Sequence, residues 1–464
     1  MAVLVACVLG AAGLSVMRGP DLNFDLRNYH YYAAFSLLEG RIDRDLAVAG
    51  VQTYFNPLLD LPFYLISRRF GLFWASAAQG TFYGLLVFAV WLFNLRLFAT
   101  KAFSSFSWVL RCLVLPAFAT ALGVTGGAAI SQMGTTFNEI QISVLVVCSL
   151  LAVYISLERE RPGRWQFAAG LLLGAAAGLK LTAVTYCLAL LLAVVFATGL
   201  RRAWRPVLAI CVGGSLAFLL TYGWWGWILL EKFQNPIFPF YNAIFQSPWY
   251  PPQNFRALRF VPKSLLDAVI YPLNWAFQPS TLASELKQSD PRLSLALVAA
   301  AAGLLADITG RRFGAGIRLL VCFTLLSYSI WVAQFGILRY AIPIEVAGGA
   351  VVVAVLALLV RPLGAFRHVT AAVVVVSALA GAHFATGYMD WGIFPWDRKA
   401  TWTSLPRFQT IPWSWSLIAH LASMFRLSAA TGLKFLALMA RSLAQRDIGY
   451  LKKFEQSSPD IAGR

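Results

Sequence analysis

The stretch DLNFDLRNYHYY (residues 21–32), followed by QTYFNPLLDLP (residues 52–62), stands out from the rest of this 464-residue chain. Its first twelve residues hold two Asp, one Arg, one His and three Tyr. The whole chain is 59% hydrophobic and 12% charged, with a mean hydropathy of +0.68, whereas a soluble domain carries about 25% charged residues. Because polar groups held against a membrane are costly, they are candidates for function. We therefore interpret residues 18–70, the first loop, as an active-site loop on a membrane scaffold.

The apolar segments predict an all-α, polytopic membrane protein. A spanning helix needs about 20 largely apolar residues, and we count about 11 candidates, within a range of 10–13. Residues 165–199 fit either two short helices or one kinked helix. Segment 1–17 lacks a basic start and a typical cleavage site, so we expect a short retained helix rather than a signal peptide. The candidates are 1–17, 71–98, 106–124, 137–157, 165–179, 181–199, 204–230, 291–306, 317–336, 341–360 and 368–386.

The charge pattern predicts which ends of these helices share a side of the membrane. Net charge is +18, from 38 Lys and Arg against 20 Asp and Glu. In a membrane protein, basic clusters in short loops mark the cytoplasmic side and contact anionic lipid, so no nucleic acid is implied. Five such clusters fall on alternate loops: Arg96, Lys101 and Arg111; Arg159, Arg161 and Arg164; Arg201, Arg202 and Arg205; Arg311, Arg312 and Arg318; Arg361 and Arg367. The first loop and residues 231–290, the second loop, are then extracytoplasmic. We expect both loops to carry short helices at the membrane surface, and residues 28–39 and 57–69 of the first loop have helical spacing.

Two further regions complete the predicted organisation. The second loop has seven Pro between 236 and 272 and many aromatic residues, which disfavours long helices before about residue 263. It either covers a site or forms an interfacial aromatic belt. We expect a catalytic transmembrane domain at 1–386 and a C-terminal interfacial segment with a polar tail at 387–464, where 414–440 is a twelfth span or an amphipathic helix. The six Cys form no CxxC pair, which indicates neither zinc nor a disulfide framework.

Three separated stretches resemble the GT-C superfamily of membrane glycosyltransferases, whose donors are sugars linked to polyprenyl phosphate. The superfamily's first loop has an acidic residue followed by Tyr, then a Gly-containing stretch, then an aromatic-x-Pro-Leu run. Its later motifs are a small-residue helix that ends in Lys and an Arg-Tyr-x-x-Pro turn. The similar residues here are Asp25, Tyr29, Tyr32, Glu39-Gly40, YFNPL (54–58), GLLLGAAAGLKLT (170–182) and RYAIP (339–343). The superfamily often has two adjacent acidic residues where this chain has only Asp25, with Asp21 four residues earlier, so the choice of base between them stays open.

The resemblance implies transfer of a sugar to an acceptor by an inverting displacement, with Asp25 as the base. It implies donor-phosphate binding by Lys180, Arg339 and Tyr340. Sugar or acceptor binding is assigned to Asp21, Tyr29, His30, Tyr32, Tyr54, Asn56 and Glu139. No cofactor or metal site is required, although Mg²⁺ would accept oxygen ligands from Asp21, Asp25 and Glu139.

The same resemblance sets the expected partners and location. The partners are a polyprenyl-phosphate-linked sugar, a glycan, lipid or protein acceptor, and membrane lipids. The location is the bacterial inner (cytoplasmic) membrane, as a multi-pass protein with its active site on the extracytoplasmic face.

Simpler interpretations of these residues remain open. Asp25 could pair with Arg27 or cap a surface helix, and Glu139 could sit at a helix N-terminus because the dipole favours it. Lys180 and Arg339 could reach from helix ends to lipid headgroups. The chain could also be a transporter or flippase of lipid-linked glycans, another membrane enzyme of envelope polysaccharide assembly, or a structural membrane protein. Transporters often place ionisable residues mid-membrane on broken helices, whereas here they gather on one predicted side.

Overall fold

The computed structural model describes residues 1–42, 45, 47–254, 258–310, 313–360, 381–383 and 386. The predicted span 368–386 lies almost wholly outside these residues, and the predicted segment 387–464 lies entirely outside them. The described part is helical, with one four-residue strand, Val48–Val51. Its helices are α1 Ala2–Arg18, α2 Tyr31–Leu38, α3 Leu61–Phe70, α4 Leu72–Phe98, α5 Leu115–Val124, α6 Gly127–Ser131, α7 Glu139–Ser156, α8 Gly163–Leu179, α9 Val184–Thr198, α10 Leu200–Phe218, α11 Trp224–Phe233, α12 Asn242–Phe245, α13 Leu265–Ile270, α14 Arg292–Ile308, α15 Ala315–Gln334 and α16 Ile342–Val360.

The chain is a membrane protein, as the sequence predicts. Six helical stretches of the described chain are long and apolar enough to cross a bilayer: Leu72–Phe98, Glu139–Ser156, Leu181–Thr198, Leu200–Phe233, Ala315–Gln334 and Leu338–Val360. Four other predicted spans coincide with helices of 15 to 17 residues, namely Ala2–Arg18, Leu110–Val124, Gly163–Leu179 and Arg292–Ile308. The count of about 11 spans therefore stays a prediction. The 165–199 region forms two helices, which separate at Lys180.

The helices form a bundle with α16 near its centre. In the most apolar 18-residue window of Leu338–Val360, 89% of the residues are buried, against 22% in Leu200–Phe233. Helix α16 packs against α5, α14 and α15, whereas Leu208, Leu219 and Leu220 of the outer segment are exposed. An apolar surface of this kind suits contact with lipid tails rather than water. The prediction of a helical membrane scaffold is confirmed.

Glycine spacing on α8 allows a close approach that places Lys180. Gly170, Gly174 and Gly178 recur every fourth residue and so share one face of the helix. A Cβ atom added at Gly174 would lie 2.0 Å from the carbonyl oxygen of Gly214 in α10. Small residues let membrane helices pack backbone to backbone in this way. The small-residue helix seen in the sequence is therefore a packing surface, and its C-terminal end carries Lys180.

Both long loops contain the short helices that the sequence predicts. The first loop forms a π-helical turn at Leu26–His30, followed by α2, and then α3. Asn56 fastens it to the bundle, because its side-chain amide donates to the carbonyl oxygens of Gly178 and Thr221, each at 2.9 Å. The second loop holds only short helices, α12 and α13, among its described residues. The loops thus meet the same end of the bundle as the C-terminus of α8.

Candidate active site

Asp25 and Arg339 form an ion pair between the first loop and the start of the helix that leads into α16. Arg339 Nη1 lies 2.8 Å from Asp25 Oδ2, and their side chains are only 12% and 11% exposed. The hydroxyl of Tyr29 donates to the same carboxylate oxygen at 3.1 Å. Burial first, and the Asp25 charge second, raise the pKa of Tyr29 well above its usual value, so this hydroxyl stays protonated. The partner of Asp25 is therefore Arg339.

Arg339 also contacts groups from two other segments. Its Nη2 lies 3.6 Å from Glu285 Oε1 in the second loop. The guanidinium carbon lies 5.0 Å from the ring centre of Phe137 and 5.3 Å from that of Tyr340, which are distances for cation–π attraction. Its Nε atom is buried and has no hydrogen-bond partner in the described part of the chain. Arg339 is thus held within the protein and retains an unused donor.

Lys180 pairs with Glu139 at a second ion pair nearby. The chain leaves the helical conformation at Lys180, with φ −149° and ψ 108°, so the side chain projects from the break between α8 and α9. Its ammonium group donates to Glu139 Oε1 and, at 2.7 Å, to the carbonyl oxygen of Phe137. It also lies 5.5 Å from the ring centre of Tyr340. Both predicted phosphate-binding cations therefore converge on Tyr340.

A cleft of about 750 Å³, counting the space at its open side, lies beside these pairs. Aromatic rings form much of its wall, and Phe238 and Phe240 bring the second loop to it. Of the predicted site residues, six line it: Tyr29, His30, Tyr54, Asn56, Lys180 and Tyr340. Asp25 and Arg339 line neither the cleft nor the smaller space next to it, and they contact the lining residues Tyr29 and Tyr340 from behind. Glu139, Lys180 and Tyr340 line a smaller adjoining space of about 240 Å³. Lys180 and Tyr340 therefore border both spaces.

His30 reaches the cleft as one member of a three-residue hydrogen-bonded group. Its Nδ1 lies 2.8 Å from Asp60 Oδ1, and the same oxygen accepts a hydrogen bond from the Asn138 amide at 2.7 Å. Asn138 adopts a left-handed conformation with φ 69°, which Asn tolerates better than most residues. All three residues line the cleft.

Two predicted site residues lie elsewhere in the first loop. Both carboxylate oxygens of Asp21 accept hydrogen bonds, from Asn23 and from the backbone and hydroxyl of Thr136. Burial raises the pKa of Asp21, and these hydrogen bonds oppose the rise. Tyr32 donates to Asp45, which also pairs with Arg41. Neither residue lines the cleft, and the hydrogen bonds of both hold the loop in shape.

Sequence reasoning missed Asp60, Asn138 and Phe137 as site residues. Asp60 lies in the NPLLD run that the resemblance partly covers, and Asn138 and Phe137 precede the predicted Glu139. A signal was available for Asp60, because it is an acidic residue in an apolar run of the same loop as His30, and a buried His needs a hydrogen-bond partner. Phe137 takes part through its backbone carbonyl, which accepts a hydrogen bond from Lys180, and a pattern of side chains cannot predict such a contact.

The predicted oxygen ligands do not gather at one point. Within the described ranges, no group of three or more His, Cys, Asp or Glu side chains is placed to hold a metal ion. Asp21 bonds to Thr136, Asp25 pairs with Arg339, and Glu139 pairs with Lys180. The set of Asp21, Asp25 and Glu139 is therefore not brought together as a magnesium site.

Comparison with known proteins gives one structural likeness. No protein-family model matches the chain, and no curated protein matches it. Among solved structures, the chain is similar to ArnT from Cupriavidus metallidurans, whose crystal structure has undecaprenyl phosphate bound. The identity is 16%, the match covers 82% of this chain and 70% of ArnT, and the TM-score is 0.49.

Proposed function

We propose that this chain is an integral membrane glycosyltransferase that moves a sugar from a polyprenyl-phosphate donor to an acceptor on the extracytoplasmic side. The observation that carries the proposal is the convergence of two partly buried cations, Lys180 and Arg339, on the ring of Tyr340, which lines the cleft together with Lys180. Each cation comes from a different helix and is held by a carboxylate. Buried charges on one cleft of a membrane protein mark a functional site more readily than a structural one.

The two cations suit the phosphate of the donor. Arg offers a planar fork to phosphate oxygens, and the ammonium of Lys180 supplies a second charge directly on the cleft. As the bond between the sugar and the phosphate breaks, negative charge grows on the phosphate, and fixed cations in a water-poor site stabilise that charge strongly. The donor phosphate takes the place of Asp25 on Arg339 and of Glu139 on Lys180.

Asp25 is the base in this proposal. When the phosphate engages Arg339, the Asp25 carboxylate is released from its ion pair. The acceptor hydroxyl then attacks the sugar's anomeric carbon, the carbon–oxygen bond to phosphate breaks, and the hydroxyl proton goes to Asp25. Tyr29 connects Asp25 to the cleft, because Tyr29 lines the cleft and its hydroxyl donates to Asp25. One base suffices for an inverting displacement because phosphate leaves readily.

The remaining cleft residues fit a sugar and its acceptor. Tyr54, Phe55 and Phe240 line the cleft with aromatic rings, which are the side chains against which sugar rings pack. Phe238 and Phe240 of the second loop line the cleft, and Glu285 of the same loop contacts Arg339, so this loop forms one wall for the acceptor. No step in this proposal needs a metal or an organic cofactor.

Lipid binding by the purified protein tests the proposal. Undecaprenyl phosphate is titrated into the detergent-solubilised protein and followed by native mass spectrometry, with phosphatidic acid as the competing anionic lipid. We expect selective binding, at least about tenfold weaker in Arg339→Ala, because a charge-assisted contact contributes about 1.5–3 kcal/mol. Arg339→Lys should recover part of the loss.

Arg159→Ala is the matched control, because Arg159 is an exposed arginine of a predicted cytoplasmic cluster. It should bind as the wild type does. Equal binding of both lipids by the wild type, or an unchanged affinity in Arg339→Ala, would contradict a phosphate site at this cleft.

A further inference from the structure

His30 lines the cleft, and one of its ring nitrogens is unused. The residue is 5% exposed, and Nε2 is buried without a hydrogen-bond partner in the described part of the chain. The other ring nitrogen, Nδ1, contacts Asp60 Oδ1 at 2.8 Å. A buried polar atom left unsatisfied costs about 1–3 kcal/mol. A ligand group that bonds to Nε2 would remove that cost.

Asp60 and Asn138 decide what kind of group Nε2 can bind. An ionised carboxylate has no hydrogen to give, so the contact requires Nδ1 to be the donor. A neutral ring that donates from Nδ1 carries a bare lone pair at Nε2. The Asn138 amide donates to the same oxygen of Asp60 at 2.7 Å, which holds the carboxylate in place. In the neutral ring, Nε2 is therefore a hydrogen-bond acceptor on a residue that lines the cleft.

We propose that His30 Nε2 accepts a hydrogen bond from a hydroxyl group of the donor's sugar. This inference rests on the proposed function. Lys180 and His30 line the same cleft, so a donor whose phosphate is held by Lys180 places its sugar beside His30. The Tyr54 and Phe55 rings of the same cleft suit the apolar face of a sugar, and the fixed lone pair suits its polar edge. Asp60 and Asn138 are positioning residues that act through His30.

The test compares undecaprenyl phosphate with the same lipid carrying a sugar on its phosphate. Undecaprenyl phosphate and its glucose, galactose, mannose and arabinose conjugates are titrated into the purified full-length protein. We expect at least one conjugate to bind the wild type more tightly than the bare lipid phosphate does. In His30→Ala this advantage should fall by about tenfold, the upper range for one hydrogen bond. Affinity for bare undecaprenyl phosphate should stay unchanged, since Lys180 and Arg339 remain.

Two more variants separate positioning from general damage. His30→Gln places an amide oxygen near the position of Nε2, so it should retain part of the sugar's contribution. Asp60→Asn can donate to Nδ1 and so favours the ring form with a hydrogen on Nε2, which removes the lone pair. It should lose the contribution as His30→Ala does. Ser67→Ala, in α3 of the same loop and not among the residues that line the cleft, is the control for loop substitutions.

The outcomes separate this inference from the proposed function. If the wild type binds bare undecaprenyl phosphate but no conjugate binds more tightly, the sugar contact is overturned while the phosphate site stands. The same holds if His30→Ala weakens the bare lipid and the conjugates equally, or if it slows transfer with donor affinities unchanged, because the hydroxyl would then belong to the acceptor. If the wild type binds no undecaprenyl phosphate, the proposed function falls and takes this inference with it.

Discussion

The guanidinium of Arg339 lies 2.8 Å from the carboxylate of Asp25, a contact between residues 314 positions apart in the sequence. It joins the first loop to the start of the helix Leu338–Val360, which contains the most deeply buried of the membrane-length stretches described. Lys180 and Glu139 make the equivalent contact between two other helix ends. Each predicted phosphate-binding cation is thus held by a carboxylate that the sequence also assigned to the site.

Asp25→Asn should separate catalysis from donor binding. Asn keeps the size of the side chain but cannot take a proton, so transfer should fall by about 10²–10⁴-fold, the usual contribution of a general base. Affinity for undecaprenyl phosphate should not fall, because Asn competes less strongly than Asp for the Arg339 guanidinium. Single-turnover transfer and lipid titration on the same preparation measure the two effects.

Ser67→Ala again provides the control for a substitution in the first loop. Near-normal transfer by Asp25→Asn would remove Asp25 from the mechanism, and Glu139 would be the next base to examine. A loss of lipid binding equal to the loss of transfer would assign Asp25 the positioning of Arg339 instead.

The sequence identified the residues of this site better than it identified which of them form ion pairs. Polar residues in an otherwise apolar chain are easy to find, which is why Asp25, Glu139, Lys180 and Arg339 could be named from composition and motif. Their pairing depends on how the helix ends come together, and no local pattern encodes that. The sequence therefore offered Arg27 as the neighbour of Asp25, whereas the bundle brings Arg339 to it.

Asp21 and Tyr32 were predicted as site residues but do not line the cleft, and the reason is similar. Asp21 and Tyr32 share the polar character of the cleft residues, but each finds partners within or beneath the first loop: Asp21 on Thr136 and Tyr32 on Asp45. Helical boundaries were predicted well because they follow apolar length and turn residues. The number of spans was not settled, since several helices are near the length at which a segment begins to cross a bilayer.

Removal of both members of the Lys180–Glu139 pair should cost less stability than the two single removals added together. The Glu139 side chain is 6% exposed and that of Lys180 is 18% exposed. Glu139→Ala leaves a largely buried ammonium without its anion, at a cost of about 3–5 kcal/mol. The double variant Glu139→Ala/Lys180→Ala leaves no unpaired charge and should be destabilised less than the sum of the single variants. Thermal unfolding of all four proteins in one detergent gives the coupling, and strictly additive shifts would show that the pair contributes nothing.

Gly174→Ala should loosen the packing that places Lys180. The new Cβ would lie 2.0 Å from the Gly214 carbonyl oxygen, a backbone atom that cannot rotate away. Helices α8 and α10 must then separate, at a cost of about 1–3 kcal/mol for overpacking, and undecaprenyl phosphate affinity should fall because Lys180 follows the end of α8. Gly163→Ala on the same helix is the matched control, since a Cβ there meets nothing within 4 Å. A lower unfolding midpoint in Gly174→Ala alone is the expected result, and equal midpoints would contradict the tight helix contact.

Single-cysteine labelling should place the cleft on the extracytoplasmic face. Lys263 lies in the second loop, which supplies Phe238 and Phe240 to the cleft, and Arg159 lies just beyond the far end of α7. That helix has 18 residues, so its ends are about 27 Å apart at 1.5 Å per residue, close to the thickness of a bilayer's hydrocarbon core. Both side chains are exposed.

In a background without the six native Cys, a membrane-impermeant maleimide applied to intact cells should label Lys263→Cys and spare Arg159→Cys until the cells are opened. Labelling of Arg159→Cys alone would indicate the opposite topology. The cleft would then lie on the cytoplasmic face, where an extracytoplasmic acceptor cannot reach it.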